Sequence, residues 1–164
     1  MIRGPVHSPL RLTDAQLLAE CDVHTYRASG PGGQKRNKVE SAIRLRHRPT
    51  GVAAIAEDSR SQLENRPLAV RRLREAIAVR VRSPVDLSSF RAPPELVAAV
   101  TSGGRLRVSP RHPDYPLIAA TVLDVLEACA GRASQAAQVL GLTTHHLIQF
   151  LEEHPREIES DDAS

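Results

Sequence analysis

The stretch Ser41–Gly51, SAIRLRHRPTG, leaves its backbone little freedom of choice. Ile43, Leu45 and His47 alternate with Arg44, Arg46 and Arg48. A period of two is the mark of a strand with one buried face and one open face. Pro49-Thr50-Gly51 supplies turn residues, and VAAIAED follows as the returning strand. A β-hairpin with an arginine-bearing outer face is therefore expected here, and the rest of the chain has to fold around it.

The neighbouring patterns complete a small unit. RLTDAQLLAEC reads as a short helix, with Thr13 or Asp14 at its cap and Leu17 and Leu18 facing inward. DVHTYRAS reads as a strand with two faces. Asn37 followed by Glu40 fits a capping box and predicts a short helix there, and Ser61 with Glu64 repeats the pattern. The second box opens a long helix to about Arg82, with Leu73, Ile77 and Val81 at helical spacing. Arg66, Arg71, Arg72, Arg74, Arg80 and Arg82 occupy much of its surface. The fold class expected is α+β: a small mixed sheet packed by a long helix, followed by an all-α module.

The second half changes character. Residues 83–113, rich in Ser, Pro and Gly, read as a linker, within which PPELVAAVTSGG forms two helical turns entered by Pro and ended by Gly. PLIAATVLDVLEACAG is an amphipathic helix with Leu117, Ile118, Thr121, Val122, Val125 and Leu126 on one side, stopped by Gly131. RASQAAQVLGLTTHHLIQFLEEH reads as helix, tight turn, helix. Ala137, Gly141 and Leu147 stand at the spacing of a helix-turn-helix. The division expected is a first domain over 12–82, the linker over 83–113, a helical module over 114–154 and a disordered acidic tail over 155–164.

Charge follows the same division. The net charge of +3 hides 20 Lys+Arg against 10 Asp+Glu up to Arg111, and 2 against 9 from His112 onward. Segregation of this size suggests a polyanion-binding front and an acidic rear. Nearly all the cations are Arg, which suits bidentate phosphate contacts. With aromatics at 2% and no Trp, the core must be aliphatic. No apolar run is long enough to cross a membrane, and the N-terminal residues lack the apolar centre of a secretory signal. Cys21 and Cys129 have no motif spacing and read as free thiols packed in the core of a cytoplasmic protein. His145, His146 and His154 read as surface imidazoles, and no metal or cofactor is expected.

Between the first two strands lies SGPGGQKRNKVES, Ser29–Ser41. Gly32 and Gly33 remove side chains where a backbone must approach a ligand or take positive φ. Gln34 then offers its N–H and an amide side chain at the loop tip, and such an N–H can stabilise an oxyanion or an alkoxide leaving group. Lys35, Arg36 and Lys38 suit phosphate. GPGGQK is not a phosphate loop of the Walker type, since the Gly-Lys-Ser/Thr ending is missing.

RASGPGGQKRNKVESAIRLRHRPTG followed by EDSRSQLENRPLAVRRLREAI resembles the catalytic domain of class I peptide chain release factors, over residues 12–82. The matching positions include Ser29-Gly30-Pro31-Gly32-Gly33-Gln34, Asn37-Lys38, Glu40-Ser41, Arg44-Leu45, His47, Pro49-Thr50-Gly51, Arg60-Ser61-Gln62 and Asn65-Arg66. The resemblance implies hydrolysis of the ester joining a nascent peptide to tRNA, in the peptidyl-transferase centre of the large ribosomal subunit. It casts Gly32, Gly33 and Gln34 as the catalytic residues, with the Gln34 N–H on the developing charge and its side chain positioning water. The ribosome and peptidyl-tRNA are the partners. Arg27, Lys35, Arg36, Asn37, Lys38, Arg44, Arg46, Arg48, Arg60, Arg66, Arg71 and Arg72 are the expected contacts to rRNA and tRNA.

Two departures shape the expectation. Full-length release factors carry large domains that read stop codons, and 164 residues leave no room for them. Compact relatives act independently of codons and rescue stalled ribosomes, several with a basic tail, whereas this chain ends in EIESDDAS. Lys35-Arg36 also replaces the His and apolar residue frequent in relatives. The helix-turn-helix pattern resembles DNA-binding helices of the factor-for-inversion-stimulation type. Its second helix, TTHHLIQFLEEH, has no Lys or Arg, so DNA is a poor ligand. A protein partner for this module is expected instead. The alternative for the whole chain is a ribosome- or RNA-binding adaptor without chemistry.

Overall fold

The computed structural model describes residues 2–3, 8–28 and 40–154. The chain divides into two compact units, Ile2–Val81 and Arg82–Ser164.

β1 (Ile2–Arg3) pairs with β5 (Val81–Arg82). A 3-10 turn over Pro9–Arg11 leads to α1 (Asp14–Ala19). Thr13 caps α1 with a complete box: its hydroxyl accepts the Gln16 N–H, and the Gln16 side chain accepts the Thr13 N–H. Leu17 is fully buried, while Leu18 is only partly covered.

A three-stranded sheet follows, in the order β2 (Cys21–Tyr26), β3 (Ala42–His47), β4 (Ala53–Ala56). Both pairings are antiparallel, so the mixed sheet expected is an antiparallel one. Its strands are joined by a loop and a hairpin rather than by the crossover a parallel pair needs. Along β3 the alternation is realised in full: Ile43, Leu45 and His47 are buried, and Arg44 and Arg46 are exposed. Gly51 closes the turn with φ of +75°.

The long helix is α2 (Gln62–Arg80), packed on the inner face of β3 and β4. Ala69, Val70, Leu73 and Ile77 meet Ile43, Leu45, Ala54 and Ala56 in one core. The edge strand β2 lies beyond that cover, which leaves Val23 exposed although Leu45, directly opposite, is buried.

Three sequence expectations change here. No helix reaches Glu40: Glu40 and Ser41 are irregular and β3 begins at Ala42, while Asn37 lies outside the described residues. The reason is pairing, since Ala42 is already opposite Tyr26 in the sheet. The second capping box is half formed. Ser61 Oγ accepts the Glu64 N–H, but the Glu64 carboxylate takes the Ser59 hydroxyl, and the Ser61 N–H goes to Ser59 Oγ at 3.1 Å. The helix also ends at Arg80, where Val81 turns extended.

The second unit contains α3 (Pro94–Ala99), α4 (Tyr115–Ala128), α5 (Ala133–Leu140) and α6 (Thr144–Glu153). Its core joins Ile118, Val122 and Val125 of α4 to Ala136, Ala137 and Leu140 of α5 and to Leu147 and Phe150 of α6. The stretch expected as a linker contributes to this core through Leu96 and Leu106, with Val85, Leu87 and Phe90 packed against it. Hydrophobic residues in a Ser- and Pro-rich context still bury when a neighbouring helix offers them cover. Helix α3 ends at Ala99 and not at the glycines, because Val100 turns extended and bridges Leu106. Arg82 and Asp124 pair at 2.9 Å, and the Ser83 N–H donates to Asp124 Oδ1 at 3.0 Å. Residues 155–164, expected to be disordered, lie outside the described residues.

Candidate functional site

Seven of the fifteen expected site residues, Gly32, Gly33, Gln34, Lys35, Arg36, Asn37 and Lys38, lie outside the described residues. What the structure does define is the base from which residues 29–39 depart and to which they return. Tyr26 at the end of β2 stands opposite Ala42 at the start of β3, so the two stems leave the sheet side by side.

Both stems are tied to one stretch of chain, from the end of β4 through the first turn of α2. On the outgoing side, the Tyr26 hydroxyl donates to Glu57. Burial, and then this hydrogen bond, push the Tyr26 phenol up to about 12, so it stays a donor. On the return side, the Gln62 amide donates to the Glu40 carbonyl at 3.2 Å, and Asn65 Nδ2 donates to the Ser41 carbonyl at 2.8 Å. Asn65 is fully buried and spends the rest of its side chain on Ser59, donating to its carbonyl at 2.8 Å and accepting its N–H at 2.9 Å. An amide offers two donors and two acceptor lone pairs, and three of these four are used. Ala28, the last described residue of the outgoing stem, is buried.

The connection itself is braced from behind. Arg72 grips Asp58 through two bonds of 2.7 Å and donates to the Ile55 carbonyl at 3.1 Å. The Arg72 guanidinium holds the Asp58 carboxyl below its ordinary value. At the other end of the sheet, His47 is fully buried. Its Nε2 lies 2.7 Å from the Glu20 carboxylate and its Nδ1 2.7 Å from the Thr50 hydroxyl, so both ring nitrogens have partners.

The arginines expected to contact nucleic acid fall into two groups. Arg44 and Arg46 project from the open face of the sheet, opposite the face that α2 covers. Arg66, Arg71 and Arg72 belong to α2, and Arg60 lies just before it. Strand and helix arginines are thus separated by the thickness of the sheet rather than merged in one stripe. They also differ in freedom. Arg46 and Arg48 share Asp22, at 3.8 and 3.2 Å, Arg71 pairs with Glu75 at 3.2 Å and Arg72 is committed to Asp58. No ion pair among the described residues engages the exposed Arg27, Arg44, Arg60 or Arg66.

Tyr26, Glu57 and Asn65 have no place among the site residues expected from the sequence. Asn65 does stand in the matching pattern, and its burial explains that position. The Tyr26–Glu57 pair spans 31 residues and no local pattern announces it. Among the described residues no three His, Cys, Asp or Glu side chains converge as a metal site, and no helix is long and apolar enough to cross a membrane.

A family model described as the RF-1 domain matches residues 17–90. Peptide chain release factor 1 of Leptothrix cholodnii is 39% identical over 89 residues, 54% of this chain and 25% of that protein. The same-named protein of Kocuria rhizophila is 36% identical over 85 residues, 52% of this chain and 23% of that protein. That of Ureaplasma parvum is 53% identical over 55 residues, 34% of this chain and 15% of that protein. The chain thus spans a quarter or less of the length of these relatives.

Proposed function

We propose, from the premise that residues 17–90 belong to the class I peptide chain release factor family, that this chain hydrolyses the peptidyl-tRNA ester on the ribosome. It releases nascent chains from stalled ribosomes or from large subunits. The observation that carries the reading is the RF-1 match, which runs through Gly32-Gly33-Gln34 and through the anchors on either side of them.

The chemistry asked of the protein is small. Water attacks the ester carbonyl, negative charge develops on its oxygen, and the bond to the tRNA ribose oxygen breaks, that oxygen taking up the proton the water gives up. A main-chain N–H from Gln34 aimed at that charge, in a site from which bulk water is excluded, is worth far more than in solution. The Gln34 amide positions the water. Gly32 and Gly33 keep the approach free of side chains, and the arginines neutralise phosphates on the way in. The clamped stems support this reading because a donor must be placed to within a few tenths of an ångström to favour a transition state.

Peptide release from stalled complexes tests the proposal. Wild-type protein should release peptide, and Gly33→Ala and Gln34→Ala should lower the rate at unchanged ribosome binding, by about 100-fold where the Gln34 N–H is displaced. Equal release by all three proteins would remove the enzymatic reading. Running the assay on intact ribosomes and on isolated large subunits separates the two substrate states.

A further inference from the structure

We propose that the open face of the three-stranded sheet is a stacking platform for unpaired nucleotides of RNA, with His24 as the base-contacting ring and Arg44 as the phosphate anchor. Residues directly opposite in an antiparallel pair share a face. Arg44 is opposite both His24 on β2 and Ile55 on β4, so the three side chains form a row across the sheet. Tyr26 stands two residues beyond His24 on the same face. The two rings lie nearly parallel, with 6.1 Å between centroids and 17° between planes.

The polar groups around this row decide what it can bind. Asp22, the acid on the same face of β2, already serves Arg46 and Arg48. Glu57 takes the Tyr26 hydroxyl, which also holds the phenol ring in place. Arg44 has neither ion pair nor hydrogen bond among the described residues, and His24 and Ile55 are exposed. Flat π surface, one exposed aliphatic side chain and an uncommitted guanidinium are together the chemistry of single-strand recognition: bases stack on rings while cations follow the backbone. A duplex fits poorly, because its base faces are hidden in its own stack. On this face the exposed aliphatic side chain is Ile55 alone among the described β2–β4 residues, which offers little to a protein partner that relies on burial.

The inference rests on the proposed ribosomal function for its setting, but its test needs no ribosome, so the two can fail separately. The full chain is titrated with a short single-stranded oligoadenylate RNA and with the same strand annealed to its complement. Tyrosine emission is a direct reporter. The chain has two Tyr and no Trp, and Tyr115 is buried in the second core. The single strand should bind more tightly than the duplex and change Tyr26 emission, a change that Tyr26→Phe abolishes. His24→Ala should weaken binding by about five- to a hundredfold. Arg44→Ala should reduce the slope of log affinity against log salt by about 0.7. Unchanged affinity in His24→Ala, a duplex bound as tightly as the single strand, or no binding at all would each overturn the proposal.

Discussion

Asn65 shows how one buried side chain can set the course of a segment it does not belong to. It sits on α2, yet its three hydrogen bonds go to Ser41 and Ser59, on either side of the sheet connection. Replacing it leaves a buried carbonyl at Ser41 and both main-chain groups of Ser59 without these partners. Each unmet buried group costs about 1–3 kcal/mol, part of it recovered by water. Asn65→Ala should therefore lose about 2–4 kcal/mol in equilibrium urea unfolding. It should also speed amide exchange around Ser59, whose N–H the Asn65 side chain accepts. A loss no larger than that of an exposed α2 substitution such as Arg66→Ala would mean that the amide is not the anchor. The sequence carries half of this lesson. Asn65 stands in the release-factor pattern, but nothing local distinguishes a buried amide from a solvated one.

At the scale of elements, the turn between α5 and α6 was legible because Gly141 has a conformational reason to be glycine. It caps α5 with φ of +75°, and the Leu142 N–H reaches back to the Ala137 carbonyl at 2.9 Å. A Cβ there would meet nothing within 4 Å, so Gly141→Ala costs backbone strain alone, about 1–2 kcal/mol. Gly104 presents a harder case that the sequence hid. It has φ of +72°, and a Cβ would lie 3.1 Å from both the nitrogen and Cγ2 of Thr143, the N-cap of α6. Its carbonyl also accepts the Thr143 N–H at 3.0 Å. Gly104→Ala should thus lower the thermal midpoint of the second unit more than Gly141→Ala does. The reverse order would show that the Val100–Leu106 turn yields easily to a side chain.

At the scale of the whole molecule, the described residues form two hydrophobic cores that share no residue. Leu45 is fully buried in one and Leu147 in the other. Truncation of a buried leucine costs about 2–5 kcal/mol, confined to the cooperative unit that contains it. Calorimetry should therefore resolve two transitions, with Leu45→Ala lowering one and Leu147→Ala the other. A single transition moved by both variants would join the two cores thermodynamically. The second core is where sequence reading fell short. Residues 83–113 look like linker because Ser, Pro and Gly dominate, and only the packing of Leu96 and Leu106 against α4 and its neighbours reveals them as part of a fold.

Periodicity and turn chemistry were enough, from the residues alone, to define the β3–β4 hairpin, the two faces of β3 and the α5–α6 turn, whereas the α1 cap stayed open between Thr13 and Asp14 until the structure showed Thr13. Each depends on contacts within a few positions along the chain, where steric preference and local hydrogen bonding dominate. Which arginines stay uncommitted, what braces the stems around residues 29–39, and where α2 stops were decided only in three dimensions. Those outcomes depend on partners such as Glu57 for Tyr26, Asp58 for Arg72 and Asn65 for Ser41, brought together by burial of the α2 face. No local pattern can encode a hydrogen bond whose other half is chosen by how a helix lies across a sheet.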